Sequence, residues 1–196
     1  EVKPTPKVEF LMKDDYCYGD EVVISANYGG GAITIDPSLP AETLVGNKFK
    51  TKVSGLGVYT IGYKVHNEFG CEADTTKTFQ VHGIENMSVM VNPYFCEPKG
   101  THEIEGFPKP DFTDPLNNDK VYFSTDEQNI DLTDNGNGLG TIGIDRATLN
   151  ATYPLTYYYE ESFLDKDGNP QTCVSSVTKE FKILDQVADF YGIKDG

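Results

Sequence analysis

Tryptophan is absent from these 196 residues, and basic side chains are scarce: 16 Lys and Arg stand against 31 Asp and Glu, a net charge of −15. That balance argues against nucleic acid as a partner, since phosphate binding needs clustered Lys and Arg. It equally argues against docking on an anionic membrane surface. No apolar run approaches the roughly 18 residues of a spanning helix, so no membrane insertion is expected. No window of ten or more residues carries a 3.6-residue period, and long Leu, Ala, Glu or Lys runs are missing. Cysteines number four, with neither a Cys-x-x-Cys pair nor clustered Cys and His spacing, which speaks against zinc.

What remains is a strand-former's composition: 12 Tyr and 11 Phe beside frequent Thr, Val and Ile. Nineteen Gly and 11 Pro interrupt it every several residues, as short strands joined by turns require. The expected class is all-β.

One pattern occurs twice. Tyr59, Ile61, Tyr63 and Val65 align without gaps on Tyr153, Leu155, Tyr157 and Tyr159. A spacing of two puts each set on one face of a strand. Thr76-Lys-Thr-Phe-Gln-Val81 matches Thr178-Lys-Glu-Phe-Lys-Ile183, and a cysteine stands eight residues before each Phe, Cys71 and Cys173. Tyr16-Cys17 matches Phe95-Cys96. Three landmarks in the same order describe a duplication with a boundary near Gly83. The expected organisation is two tandem Ig-like antiparallel β-sandwich modules, residues 1–83 and 84–186. Residues 187–196 follow as a linker or the first strand of a further repeat, because Phe190 slides onto Phe10. The opening Glu-Val-Lys-Pro-Thr-Pro-Lys7 reads as an inter-domain linker.

Roughly seven short strands per half suit an Ig-like sandwich, with first strands expected around residues 8–12 and 88–91. Tyr59, after Gly55-Leu-Gly57, stands where a tyrosine-corner residue would. The position two residues later is Ile61 and not Cys, and the core Trp is missing, so an antibody-type domain is excluded. Four cysteines permit three pairings. Equivalent positions should do equivalent jobs, so the duplication selects Cys17–Cys71 and Cys96–Cys173, one bridge per module. On this reading a pairing crossed between the halves would overturn both the boundary and the fold assignment. Oxidised cysteines place the protein outside the cytoplasm.

No catalytic constellation emerges. His66, His82 and His102 are scattered and lack an evident nucleophile or metal-ligand partner. Asp14/Asp15 and Glu160/Glu161 point to opposite faces if extended. Gly138-Leu-Gly-Thr-Ile-Gly143 matches a dinucleotide fingerprint formally, but no helix follows it. The sequons at Asn86 and Asn150 matter in a eukaryotic host alone. The Tyr stripe reads as core, whereas Tyr158 points the other way and suits an aromatic sugar-binding platform. Charge is uneven: residues 1–83 hold 8 basic and 11 acidic side chains, the remainder 8 and 20. Oxygen donors concentrate at Asp131-Leu-Thr-Asp-Asn-Gly-Asn137 and at Asp165-Lys-Asp-Gly-Asn169. A structural calcium held by Asp165, Asp167 and Asn169 is one reading of the second stretch. Plain turn chemistry is the other.

Cys17-Tyr-Gly-Asp20, Gly55-Leu-Gly-Val-Tyr-Thr-Ile-Gly-Tyr63, Gly70-Cys71 and the Thr76-Lys-Thr-Phe-Gln-Val81 ending resemble a repeat family. They look like the PKD-like or Ig-like repeats of giant Bacteroidetes cell-surface adhesins, the gliding-motility adhesins among them. The resemblance covers both halves, the first more clearly. The Trp-Asp-Phe-Gly-Asp motif of true PKD domains is absent. The resemblance implies a non-catalytic repeat segment of a secreted, extracellular, cell-surface adhesin, acting as stalk, spacer or adhesion module. Its expected partners are neighbouring repeats of the same chain, surface polysaccharide or another cell-surface protein. The alternative is a carbohydrate-binding accessory module of a secreted enzyme.

Overall fold

The computed structural model describes residues 5, 7–113 and 118–185. The expected following strand at residues 187–196 and most of the expected opening linker lie outside them. By its internal contacts the chain divides into two units, residues 1–85 with 160–175, and residues 86–159 with 176–196. The division falls two residues from the expected boundary at Gly83. It differs from that boundary in assigning residues 160–175 to the first unit.

The first unit carries β1 (Asp15–Cys17), β2 (Glu21–Val23), β3 (Ala32–Asp36), β4 (Leu44–Val45), β5 (Lys48–Lys50), β6 (Gly57–His66) and β7 (Glu72–His82). One sheet has the order β1-β7-β6-β3 and the other β2-β5-β4. β6 alternates strictly, so Tyr59, Ile61, Tyr63 and Val65 are buried while their neighbours face out. Tyr59 and Ile61 meet Phe49 and Val22 of the opposite sheet together with Phe79 and Val81 of β7, in one apolar layer. Phe10 bridges Ala26, where the first strand is expected.

The second unit carries β8 (Ser88–Met90), β9 (Tyr94–Phe95), β10 (Thr101–Phe107), β11 (Lys120–Ser124), β12 (Asp131–Asp134) and β13 (Leu139–Gly143). The long strands β14 (Thr152–Leu164) and β15 (Pro170–Ile183) give it their residues 152–159 and 176–183. Its sheets run β11-β14-β15-β9 and β12-β13-β10-β8. The first repeats β3-β6-β7-β1 strand for strand, and the second repeats β4-β5-β2, with β8 in the place of the Phe10 bridge. Both units are therefore Ig-like sandwiches of one topology. Tyr153, Leu155, Tyr157 and Tyr159 fill the second core as their counterparts fill the first.

The bridge is Cys17–Cys173, with Cα atoms 5.4 Å apart, and Cys71 and Cys96 are free thiols. This corrects the expected Cys17–Cys71 and Cys96–Cys173 pairs, and the reason is strand direction. β1 runs parallel to β7 with Cys17 opposite His82 at its end, whereas Cys71 immediately precedes Glu72 at its start. Eleven residues of extended strand separate them, about 36 Å. A disulfide spans about 4.4–6.8 Å between Cα atoms. The same holds for the other expected pair. Cys96 follows Phe95, which lies opposite Ile183, and Cys173 stands ten residues earlier on β15.

Candidate functional site

The bridge lies where β1, the end of β7 and the tip of the β14–β15 hairpin meet within the first unit. Cys17 closes β1, and its backbone N–H donates to Asp20 Oδ2 at 3.0 Å. The Thr51 hydroxyl, fully buried, accepts from Gly19 N–H at 2.8 Å and lies 2.9 Å from the Asp20 carbonyl and 3.1 Å from that of Cys17. Those bonds hold the turn after Cys17 in one shape. From the hairpin, Glu161 Oε2 accepts from Gly83 N–H, and Ser175 Oγ accepts from Ile84 N–H at 3.0 Å. The Phe163 ring stacks on His82 at 3.6 Å and 7°. His82 is nearly buried and meets Asp15 Oδ1 at 2.9 Å, a partner not evident from the sequence. Chain direction explains it, since Asp15 reaches β7 through the parallel β1 pairing.

Beside the bridge opens a cleft of about 510 Å³, lined by Asp14, Asp15, Asp20, Asp165 and Asp167 together with Lys13, Lys166 and Tyr16. Burial pushes the Tyr16 phenol above its ordinary value, and Asp14 and Asp20 add to the shift. Lys77 pairs with Asp14, and Lys166 lies 3.1 Å from Asp167. Most of the negative charge in the cleft thus has a cation or an N–H beside it.

The hairpin turn places Asp165, Asp167 and Asn169 together. Asp165 accepts from the backbone N–H groups of Asp167 and Asn169 at 3.0 and 2.8 Å, and from the Asn169 and Gln171 side-chain amides at 3.3 Å. Those donors hold its carboxyl below the ordinary value, the Asn169 N–H foremost. Asn169 turns its amide nitrogen toward Asp165. These hydrogen bonds shape the turn. In the other oxygen-rich stretch Asp131 pairs with Arg146, and Asp134 Oδ1 accepts from Gly136 N–H at 3.1 Å.

The remaining candidates are placed one by one. Tyr59 donates its hydroxyl to the Ser54 carbonyl at 2.8 Å, a tyrosine corner. Tyr153 forms the counterpart, accepting from Thr148 N–H at 2.6 Å. His66 is exposed, 3.5 Å from Glu72, and His102 rests against Phe95. Leu139 to Gly143, the core of the glycine-rich stretch, forms β13, hydrogen-bonded between β10 and β12 and not leading into a helix. Asn86 and Asn150 occupy left-handed turn positions at φ 57° and 61°. Tyr158, half-buried on the outer face of β14, stacks on Tyr122 of β11 with centroids 4.8 Å apart and 12° between planes. Tyr122 is the residue that sequence reasoning missed. Its outward position was readable from the buried Val121 and Phe123 on either side.

No protein-family model matches the chain, and no curated protein matches it. Among solved structures it is similar to SGBP-B of the Bacteroides ovatus mixed-linkage glucan utilization locus, in complex with a mixed-linkage heptasaccharide (13% identity, TM-score 0.28). That likeness covers 91% of this chain and 48% of the other, so the chain spans about half of that structure. Mouse protocadherin-24 EC1-3 is similar over 90% of this chain and 70% of its own (9% identity, TM-score 0.33). So is a SusE-like surface located polysaccharide binding protein of Bacteroides thetaiotaomicron, over 90% and 34% (12% identity, TM-score 0.34). Likenesses this distant assign no activity.

Proposed function

We propose that the chain is a non-catalytic, load-bearing segment of a large secreted cell-surface adhesin of the gliding-motility type, working outside the cell as stalk or spacer. One observation carries the reading: the Cys17–Cys173 bridge closes a loop with a sequence separation of 156. A bridge of this kind persists in oxidising surroundings, which supports an extracellular location. Under tension applied at the two ends, a covalently closed loop cannot lengthen, whatever happens to the folds inside it. An intact chain therefore transmits force while residues 17–173, about four-fifths of its length, are shielded from extension. In chain-entropy terms a loop of that length also stabilises the folded state by about 5 kcal/mol.

The test is single-molecule stretching of the chain held by its termini. With the bridge intact, the account expects short extension alone. With reductant, unfolding should release a further contour length of about 530 Å, at about 3.4 Å per residue of loop. Equal extension in both conditions would defeat the reading.

A second reading has one specific observation in its favour. The stacked Tyr122–Tyr158 pair offers the flat aromatic surface on which a sugar ring packs. If these modules bind surface polysaccharide, binding to a glycan array should fall at least tenfold in Tyr158→Ala, about 1.4 kcal/mol. An unchanged signal, or none in the parent chain, removes that reading.

A further inference from the structure

We propose that Cys71 and Cys96 are the two unfinished halves of the bridge that Cys17 and Cys173 complete, each waiting for another repeat of this same type. The argument starts from equivalence. Tyr16 lies opposite Val81 in the parallel β1–β7 pair, and Phe95 lies opposite Ile183 in the parallel β9–β15 pair. Cys17 and Cys96 are the next residues, so they hold one position, here called early. Cys71 and Cys173 each stand eight residues before a buried phenylalanine, Phe79 and Phe181, on the last strand of their repeat. They hold the other position, here called late.

Strand direction forbids an early and a late cysteine of one repeat from meeting, by about 33–36 Å. The bridge that exists joins the early cysteine of one repeat to the late cysteine of the repeat that follows. Applied to any series of repeats, this rule leaves one late thiol on the leading copy and one early thiol on the trailing copy. Cys71 is late and on the first copy, and Cys96 is early and on the second.

The local geometry suits both roles. Asn67 Oδ1 accepts from the N–H groups of Phe69 and Cys71 at 3.0 and 2.9 Å, and Asn67 N–H donates to the Cys71 carbonyl at 3.0 Å. These bonds fix Cys71 at the tip of the β6–β7 hairpin, as far from its buried phenylalanine as Cys173 is from its own. Cys96 is exposed, whereas the bridged Cys173 is 1% exposed. Aromatic surface flanks both thiols, with Phe69 52% exposed beside Cys71 and Tyr94 59% exposed beside Cys96. Tyr94 lies opposite Lys182 as Asp15 lies opposite Gln80. The second acceptor edge is thus aromatic where the first is acidic. The occupant is a repeat of this family, supplied by a neighbouring repeat of a longer chain or by a second copy of this one. Within one longer chain successive loops then overlap, so every repeat lies inside a closed loop, whereas a second copy is joined end to end without closing one. The inference rests on the load-bearing reading's own premise, the Cys17–Cys173 bridge, and adds to it the fate of Cys71 and Cys96.

The bridge forms by exchange with glutathione disulfide. One cysteine thiolate attacks it and releases one glutathione. The thiolate of the other copy then attacks the mixed disulfide and releases the second. The new S–S bond is made, one glutathione disulfide is reduced to two glutathiones, and the two thiol protons end on them.

The test uses the 196-residue chain at about 1 mM, the effective concentration that a short linker gives a neighbouring repeat, in a glutathione redox buffer. The expected result is a head-to-tail ladder on a non-reducing gel, linked by Cys71–Cys96. Random collision makes that link about twice as frequent as either homotypic one. The proposal expects an excess of about tenfold or more. Cys71→Ser and Cys96→Ser should each leave the chain largely monomeric on its own, since neither keeps both partners, and mixing the two variants should yield the 71–96 dimer. A random distribution of links, or a monomer keeping both thiols, would overturn the proposal. The stretching experiment reads the 17–173 loop and the gel reads the 71–96 link, so the link can fail while the loop stands, whereas loss of the 17–173 bridge would remove both.

Discussion

Each tyrosine of the core stripe buries its ring and sends its hydroxyl to an acceptor or donor at the edge of its sandwich. Tyr63 reaches the Tyr28 carbonyl at 2.8 Å, Tyr157 the Pro108 carbonyl at 2.8 Å, and Tyr159 the Asp119 carboxylate at 2.8 Å. For Tyr157, burial pushes the pKa up to about 12, and the negative charge of Asp134 adds to the shift. The sign follows from linkage. In the unfolded chain the phenol loses its proton near pH 10, while the folded state keeps it to about pH 12. Its contribution is whole below pH 10 and is lost as pH rises through that window. Urea midpoints across pH 9–12 should therefore fall for the parent chain and fall less steeply in Tyr157→Phe. That variant should also lose about 1 kcal/mol at neutral pH with its hydrogen bond. Parallel pH profiles would contradict the assignment.

Among the elements, β10 and β14 show why a residue with no side chain can matter as much as an aromatic one. A Cβ on Gly106 would stand 2.4 Å from Tyr157 Cδ2 and Cε2, closer than carbon atoms pack. Gly106→Ala should cost about 1–3 kcal/mol by overpacking, read as a lower denaturation midpoint, and a midpoint equal to the parent's would refute the contact. What was legible at this scale came from period and order. Alternation identified β6, β7, β14 and β15 and their buried faces, and Gly55-Leu-Gly57 before Tyr59 announced the corner. The pairing of Cys17 was not legible from correspondence alone, because repeats reveal which positions match without saying which copies join. One signal was nevertheless present. Eight residues between Cys71 and the buried Phe79 put that cysteine about 26 Å up an extended strand, far from any partner near its other end. The turn at Asp165 shows the opposite case. Its Asp, Gly and Asn read first as a tight turn and second as a cation loop in sequence, and the N–H groups gathered on Asp165 are visible only once the chain folds.

For the molecule, the two units have one topology and differ chiefly in the hairpin between the last two strands. β6 and β7 turn around immediately before Cys71, whereas β14 and β15 continue to a turn at Asp165–Asn169, beyond Cys173. That added length carries Phe163, Asp165 and Lys166 to the cleft beside the bridge. Both the load-bearing reading and the inter-repeat rule depend on which cysteines are joined. The most direct measurement is peptide mapping of the chain, alkylated without reduction and digested for mass spectrometry. The account predicts one linked pair containing Cys17 and Cys173, with Cys71 and Cys96 recovered alkylated from the monomer. Linked peptides joining Cys17 to Cys71, or Cys96 to Cys173, would contradict it.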